Sequence, residues 1–305
     1  MVLPKQVKYS LFVLIGACSY GIHASTVKLT FGAGHSIDEV TGGQYFFGII
    51  MLLLLLTFSK KQKLSLKSNL NLMGIGVFLS FTGIFYSLSI ERLPASIAIV
   101  LLFQFTWIGV LLDAIASKKW PSKQKLVSVV LLWLGTIFAA GIFEANGFQW
   151  SQSLDGVMYG FFASITFALF IFFSGKVAKN APTIQRSIMI AIGGILVIIA
   201  LFRPTFVWDG TLTESLWSYG LVLGLFGTIF PIIFFSLGTP HIDSGLATIA
   251  GAAELPAAIV AAMFILGEVI TLAQGFGMML ILVGIILPQL PTHTRHRKRS
   301  EPIEL

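Results

Sequence analysis

One cysteine, Cys18, is all that the 305 residues contain, which excludes an internal disulfide and any cysteine-rich metal centre. Charge is scarce too. Only 11% of residues are Asp, Glu, Lys or Arg, against 56% hydrophobic ones, and mean hydropathy is +0.89. A soluble domain of this length needs more polar surface, so the composition reads as a chain that crosses a membrane many times. Several chemical signatures are also missing. There is no HExxH, no pair of aspartates within an apolar segment, no Cys/His ligand set, no Walker motif and no Ser/His/Asp arrangement that spacing supports. A membrane-embedded enzyme and a primary pump are therefore disfavoured, and neither metal nor cofactor is expected.

What is present is apolar sequence in ten blocks, at approximately 9–29, 40–58, 70–90, 95–116, 125–143, 155–175, 185–203, 216–238, 244–266 and 271–290. They are called spans one to ten below. Span one keeps Tyr20 and His23 where a signal peptide would need a small-residue cleavage site, so it is expected to be a retained helix. The net charge of +7 does not point to nucleic acid, because the basic residues sit in short runs between the spans and in the tail from Thr292. If the amino terminus is cytoplasmic, 17 of the 20 basic residues fall on that side: Lys5 and Lys8, four lysines over 60–67, four over 118–125, Lys176, Lys179 and Arg186, and four in the tail. Only Lys28, Arg92 and Arg203 fall opposite. By the positive-inside rule both termini are expected in the cytoplasm of a multi-pass plasma-membrane protein.

An internal repeat appears at an offset of 149. Phe85–Leu88 (FYSL) lies over Phe234–Leu237 (FFSL), Ala98 over Ala247 and Gly135 over Gly284. Five spans per copy is odd, so the second copy has to enter the membrane upside down. The loops agree. Ser117–Trp120 reads SKKW where its counterpart Leu266–Val269 reads LGEV, and the four lysines after span two face Arg203, Asp209 and Glu214 after span seven. The expected fold is an all-α integral membrane protein of ten transmembrane helices in two inverted five-helix repeats, 1–148 and 149–291, with a basic cytoplasmic tail at 292–305. Inverted repeats direct attention to a midplane site between the copies.

The stretch Ser244–Glu268 offers that site its acid. Glu254 lies near the middle of span nine, where an ionisable group costs on the order of 3 kcal/mol or more unless it faces a cavity or partner. Ala247, Ala250, Gly251, Ala257, Ala258 and Ala261 share its face, while Ile249, Ile259, Val260 and Met263 are expected to face lipid or bulky neighbours. Close helix packing explains the alanines, not the acid. Pro256 is expected to kink the helix. Two roles stay open for Glu254: a titrating acid that couples protons or binds substrate, with Lys28 or His23 within possible reach, or a protonated structural donor.

Further polar residues follow helical steps. Span one carries Ser19, Tyr20, His23, Thr26 and Thr30 in one stripe, and His23 can relay protons. The alternative is helix-to-helix hydrogen bonding, worth about 0.6 kcal/mol per contact in membranes. Span four offers Gln104 and Trp107, either an aromatic cavity wall with one amide or plain packing. Span three offers Thr82, Tyr86 and Ser89, with Tyr86 the best cavity candidate. Gln44 and Gln274 are read as snorkelling at helix ends, Glu268 as setting a helix end, and Asp113 as balancing charge at the interface.

With these residues in view, the chain resembles the EamA type of the drug/metabolite transporter superfamily. The ten spans and the 5+5 repeat carry the resemblance over the whole chain. Its most specific part is span nine, where Glu254 precedes Glu268 of Gly267–Glu268 by fourteen residues. Pro256 departs from the family's Glu-Pro pair, and the first repeat replaces the acid by Phe105 and the closing Gly-Glu by Lys118–Lys119. The resemblance implies a secondary transporter exporting or exchanging small metabolites through a cavity lined by spans one, three, four, six, eight and nine. Alternating access with possible proton coupling is the mechanism it suggests, with amino acids, amines or drug-like amphiphiles as solutes. The expected partners are thus a small-molecule substrate, protons and the lipid bilayer, and nothing in the sequence speaks to oligomeric state. A non-transporting scaffold or partner subunit is the alternative, and the polar stripe with Glu254 speaks against it.

Overall fold

A segment surrounded by hydrocarbon has no water for its backbone amides and must satisfy them internally, so apolar blocks of this length become helices. The computed structural model describes residues 4–141, 154–202, 207, 208 and 210–290, and there the blocks are helical. The helices are α1 (Lys5–Gly32), α2 (Ile37–Thr57), α3 (Leu66–Ile90), α4 (Ala95–Leu102), α5 (Phe105–Ser117), α6 (Lys123–Ala139), α7 (Leu154–Ser174), α8 (Thr183–Leu201), α9 (Trp217–Gly224), α10 (Phe230–Gly238), α11 (Ser244–Gly251), α12 (Glu254–Leu266) and α13 (Leu272–Ile286). Among the described residues nine helical stretches are long and apolar enough to cross a membrane. The 17-residue α6 makes the tenth span. Arg203, Asp209, the 148/149 repeat boundary and the basic tail lie outside the described residues.

The repeat is written into the backbone. Adding 149 to the bounds of α4 (95–102) and α5 (105–117) gives 244–251 and 254–266, which are the bounds of α11 and α12. The left-handed residue that ends each half-span also matches, Lys118 at φ 54° and Gly267 at φ 72°. So do the next caps: the Ser122 side chain accepts from the Lys125 amide, and Thr271 from the Gln274 amide. Gln274 returns its side-chain oxygen to the Thr271 amide, completing a capping box.

Spans four and nine are each broken in the middle, at Phe103–Gln104 and Ala252–Ala253, where the kink expected at Pro256 was the only warning. Proline has no N–H for the carbonyl four residues back, and its ring crowds that carbonyl. For Pro256 that residue is Ala252, so the helix tightens there into three-residue bonds from Ala252 N to Ile249 O and Ala253 N to Ala250 O. Span four has no proline. Its side chains compete for the backbone instead: Gln104 Nε2 donates to Val100 O at 2.8 Å, and Thr106 Oγ1 to Phe103 O at 3.0 Å.

Glycines let the spans approach. A Cβ on Gly21 of α1 would fall 2.5 Å from the Ala258 nitrogen and 2.8 Å from the Ala257 Cβ of α12. The small face of span nine is thus partly the contact surface for span one. Its other side is not all lipid-facing, because Ile249 is fully buried. Ile249 thus takes the bulky neighbours expected as one alternative for that side: the half-helix α11 is buried along its whole length, against α1, α5 and α7 among others.

Arg186 is another departure. It stands in the first turn of α8, and its guanidinium is buried without a carboxylate partner among the described residues. Nη1 donates to Ser236 O at 2.7 Å in the last turns of α10, and Nη2 donates to Ser174 O at the end of α7. Two helix carboxyl ends each present about half a negative charge, which together offset one guanidinium.

Candidate functional site

Glu254 is the first residue of α12, so its carboxylate sits at the amino end of a half-helix, where the backbone dipole favours an anion by roughly 0.3–1 kcal/mol. Its neighbours Ala252, Ala253, Leu255 and Pro256 are buried, yet Glu254 keeps part of its surface accessible. Its side chain forms no hydrogen bond or ion pair among the described residues. A carboxylate amid buried neighbours is costly unless a proton, a cation or water meets it.

Three side chains lie close enough to Glu254 to interact with its charge: Cys18 and Tyr20 of α1, and Tyr86 of α3. The Tyr20 hydroxyl is buried with no hydrogen-bond partner among the described residues. Cys18 Sγ contacts the Ala253 carbonyl at the break in span nine, 4.0 Å away. Aromatic rings close the surroundings. The Tyr20 ring meets Phe167 of α7 edge-on at 6.1 Å, and Phe167 meets Phe105 at 4.8 Å and Phe235 of α10 at 6.5 Å. Spans one, four, six and eight thus meet around Phe167, while spans one and three bring Tyr20 and Tyr86 within range of the charge of Glu254 on span nine.

The other sequence-predicted residues are placed differently. His23 does not reach Glu254. Its ring meets Tyr20 edge-on at 6.3 Å, and its Nε2 lies 2.7 Å from Gln44 Oε1 of α2. Ser19 donates to Gly16 O of its own helix at 2.6 Å. Gln104 and Trp107 form a separate cluster on span four, where the indole N–H groups of Trp107 and of Trp133 in α6 both donate to Gln104 Oε1, at 2.8 and 2.9 Å. Trp107 is 36% exposed and points away from Phe105, Thr106 and Gly109, the face of α5 that packs inward.

Two sequence readings are corrected by these contacts. Gln44 is no snorkelling residue: it bridges His23 and the Gly227 carbonyl, to which its Nε2 donates at 3.0 Å. The sequence reading missed it; the signal that was available is Pro231, four residues after Gly227, which has no N–H to offer that carbonyl. Glu268 does not merely end a helix, since it pairs with Lys28, so Lys28 is not available to Glu254. That pair lies at a cavity of about 530 Å³ between the ends of α1 and α12 and the start of α9, with Tyr219 on its wall. Asp113 meets the expectation of a charge-balancing role, holding Lys125 at 3.2 Å, and Lys125 also reaches Asp243 at 2.6 Å.

The broken spans, the acid at one break and the repeated architecture invite comparison with known sequences. The profile of the EamA-like transporter family matches this chain twice, over residues 7–141 and 154–288. The chain belongs to the EamA-like transporter family. An uncharacterized transporter of Archaeoglobus fulgidus is 25% identical over 218 residues, which span 71% of this chain and 75% of that protein. A protein solved by crystallography superposes with a TM-score of 0.75 over 93% of this chain and 98% of its own, at 14% identity, and so shares the fold. As an EamA-like transporter the protein is a membrane-embedded, multi-pass carrier of a small-molecule substrate.

Proposed function

We propose that this EamA-like transporter is a plasma-membrane exporter or exchanger of small metabolites that works by alternating access and uses Glu254 as its coupling or substrate-binding acid. The observation that carries this reading is the partly accessible, unpartnered carboxylate of Glu254 at the break in span nine, whose charge acts on Tyr20 of α1 and Tyr86 of α3. A buried carboxylate is costly when bare. A proton relieves the cost in the unloaded state, and the ammonium of a cationic solute relieves it in the loaded state. Competition between the two exchanges proton for solute. Aromatic faces beside a carboxylate suit amines, amino acids and amphiphilic cations. The two repeats, 1–148 and 149–291, are the moving units, and the paired breaks in spans four and nine give each a point of bending at the midplane. His23 and the Gln104–Trp107 pair are the remaining site candidates, the latter at the edge of the solute path; Ser19 belongs to the wall of span one.

Flux into proteoliposomes, screened over amino acids, amines and cationic drugs with and without a proton gradient, tests the reading. Glu254→Gln keeps the shape and hydrogen bonding of the side chain and removes titration. The expected result is normal insertion with loss of the dependence on the gradient. Full gradient-dependent flux in Glu254→Gln would assign Glu254 a structural role.

A further inference from the structure

The contact between His23 and Gln44 has a definite direction, and it follows from a proline in span eight. Pro231 lacks the N–H that would bond the carbonyl of Gly227, and the helix around Gly227 relaxes into a π turn at Leu225–Ile229. A carbonyl oxygen only accepts. The group of Gln44 facing it at 3.0 Å must then be the amide nitrogen, which turns Oε1 toward His23. Oε1 also only accepts, so His23 Nε2, 2.7 Å away, must carry a hydrogen. In the neutral ring that leaves Nδ1 as the lone-pair nitrogen, and Nδ1 has no hydrogen-bond partner among the described residues.

The junction is tight. A Cβ on Gly227 would fall 2.6 Å from His23 Nε2 and 2.8 Å from Gln44 Cδ, so His23, Gln44 and Gly227 occupy one another's only room. A neighbouring contact seconds it: Thr228 Oγ1 donates to Gln44 O at 3.5 Å.

From this chain of contacts we infer that Gln44 is a positioning residue, which fixes His23 in the Nε2–H tautomer and leaves Nδ1 as its hydrogen-bond acceptor. A solute group that meets His23 must then be a donor, an N–H or an O–H. That last step rests on the transport reading; the tautomer does not. A titratable group against the ring is Tyr20 on its own helix, edge-on at 6.3 Å, and it does not bond to it.

Nitrogen NMR of protein labelled with ¹⁵N-histidine tests the inference, with His23 assigned by its loss in His23→Asn. The wild-type protein should show the Nε2–H pattern, and Gln44→Leu should collapse it into a mixture of tautomers. Pro231→Ala provides an independent route, because a restored N–H competes for Gly227 O and releases Gln44. An Nδ1–H pattern in the wild type, or an unchanged pattern in both variants, overturns the positioning role. For the solute, methylammonium chloride should shift the Nδ1 resonance while tetramethylammonium, which has no N–H, should not. Equal shifts with both, or none with methylammonium, overturn the donor assignment. Neither spectrum depends on flux, so a failed Glu254→Gln prediction and a failed tautomer remain separate results.

Discussion

Phe105 and Glu254 are the same position of the repeated unit, each the first residue of the second half of a broken span. Their surroundings differ completely. Phe105 is fully buried, with Phe103 and Phe167 edge-on against its ring, whereas Glu254 is partly accessible and makes no such contact. The two copies share a backbone and not a chemistry.

Placing the acid in the other copy is therefore expected to fail. Phe105→Glu buries a carboxyl group among aromatic rings and empties part of their packing, at a cost of roughly 3–5 kcal/mol. Thermal unfolding of the purified protein in detergent should show a large loss of stability for Phe105→Glu and a change near zero for Glu254→Gln. Equal stability in the two variants would mean that the repeats tolerate an acid alike at this position.

Arg186 should be a load on stability and not on selectivity. Arg186→Ala leaves the Ser174 and Ser236 carbonyls without their donor in a buried site, at about 1–3 kcal/mol for each group left unsatisfied. Denaturation in detergent should register the loss, and Arg186→Lys should recover part of it with one donor group in place of two. If Arg186→Ala were as stable as the parent, the carbonyl contacts would contribute nothing.

The proposed orientation has a direct check. In a Cys18→Ala background, a cysteine at Lys63 should resist impermeant thiol reagents added to intact cells, and a cysteine at Val269, 86% exposed after α12, should react. The basis is the sidedness of the lysine runs. Reversal of the two labelling patterns would place both termini outside.

Hydropathy, charge and repeat are local properties, and the sequence by itself determined what depends on them. The ten blocks became helices because lipid forces internal backbone bonding. The offset of 149 forecast the repeat that the helix bounds then matched residue for residue in spans four and nine. Glu254 stood out because an acid in an apolar run is costly wherever the run is folded. Pro256 likewise forecast trouble in span nine on covalent grounds alone.

Everything that required one helix face to meet another was decided by the tertiary structure. Span four breaks without a proline because Gln104 and Thr106 bond their own backbone, a choice among rotamers that residue order does not fix. Gln44 became an interior bridge because α2 packs on the π turn of span eight, 183 residues away, where Pro231 had left a carbonyl open. Lys28 was committed to Glu268, across 240 residues, before it could serve Glu254. Arg186 reads as a loop cation until the ends of α7 and α10 are brought over it. In each case the side chain's chemistry was plain in the sequence, and its partner was set only by how the helices pack.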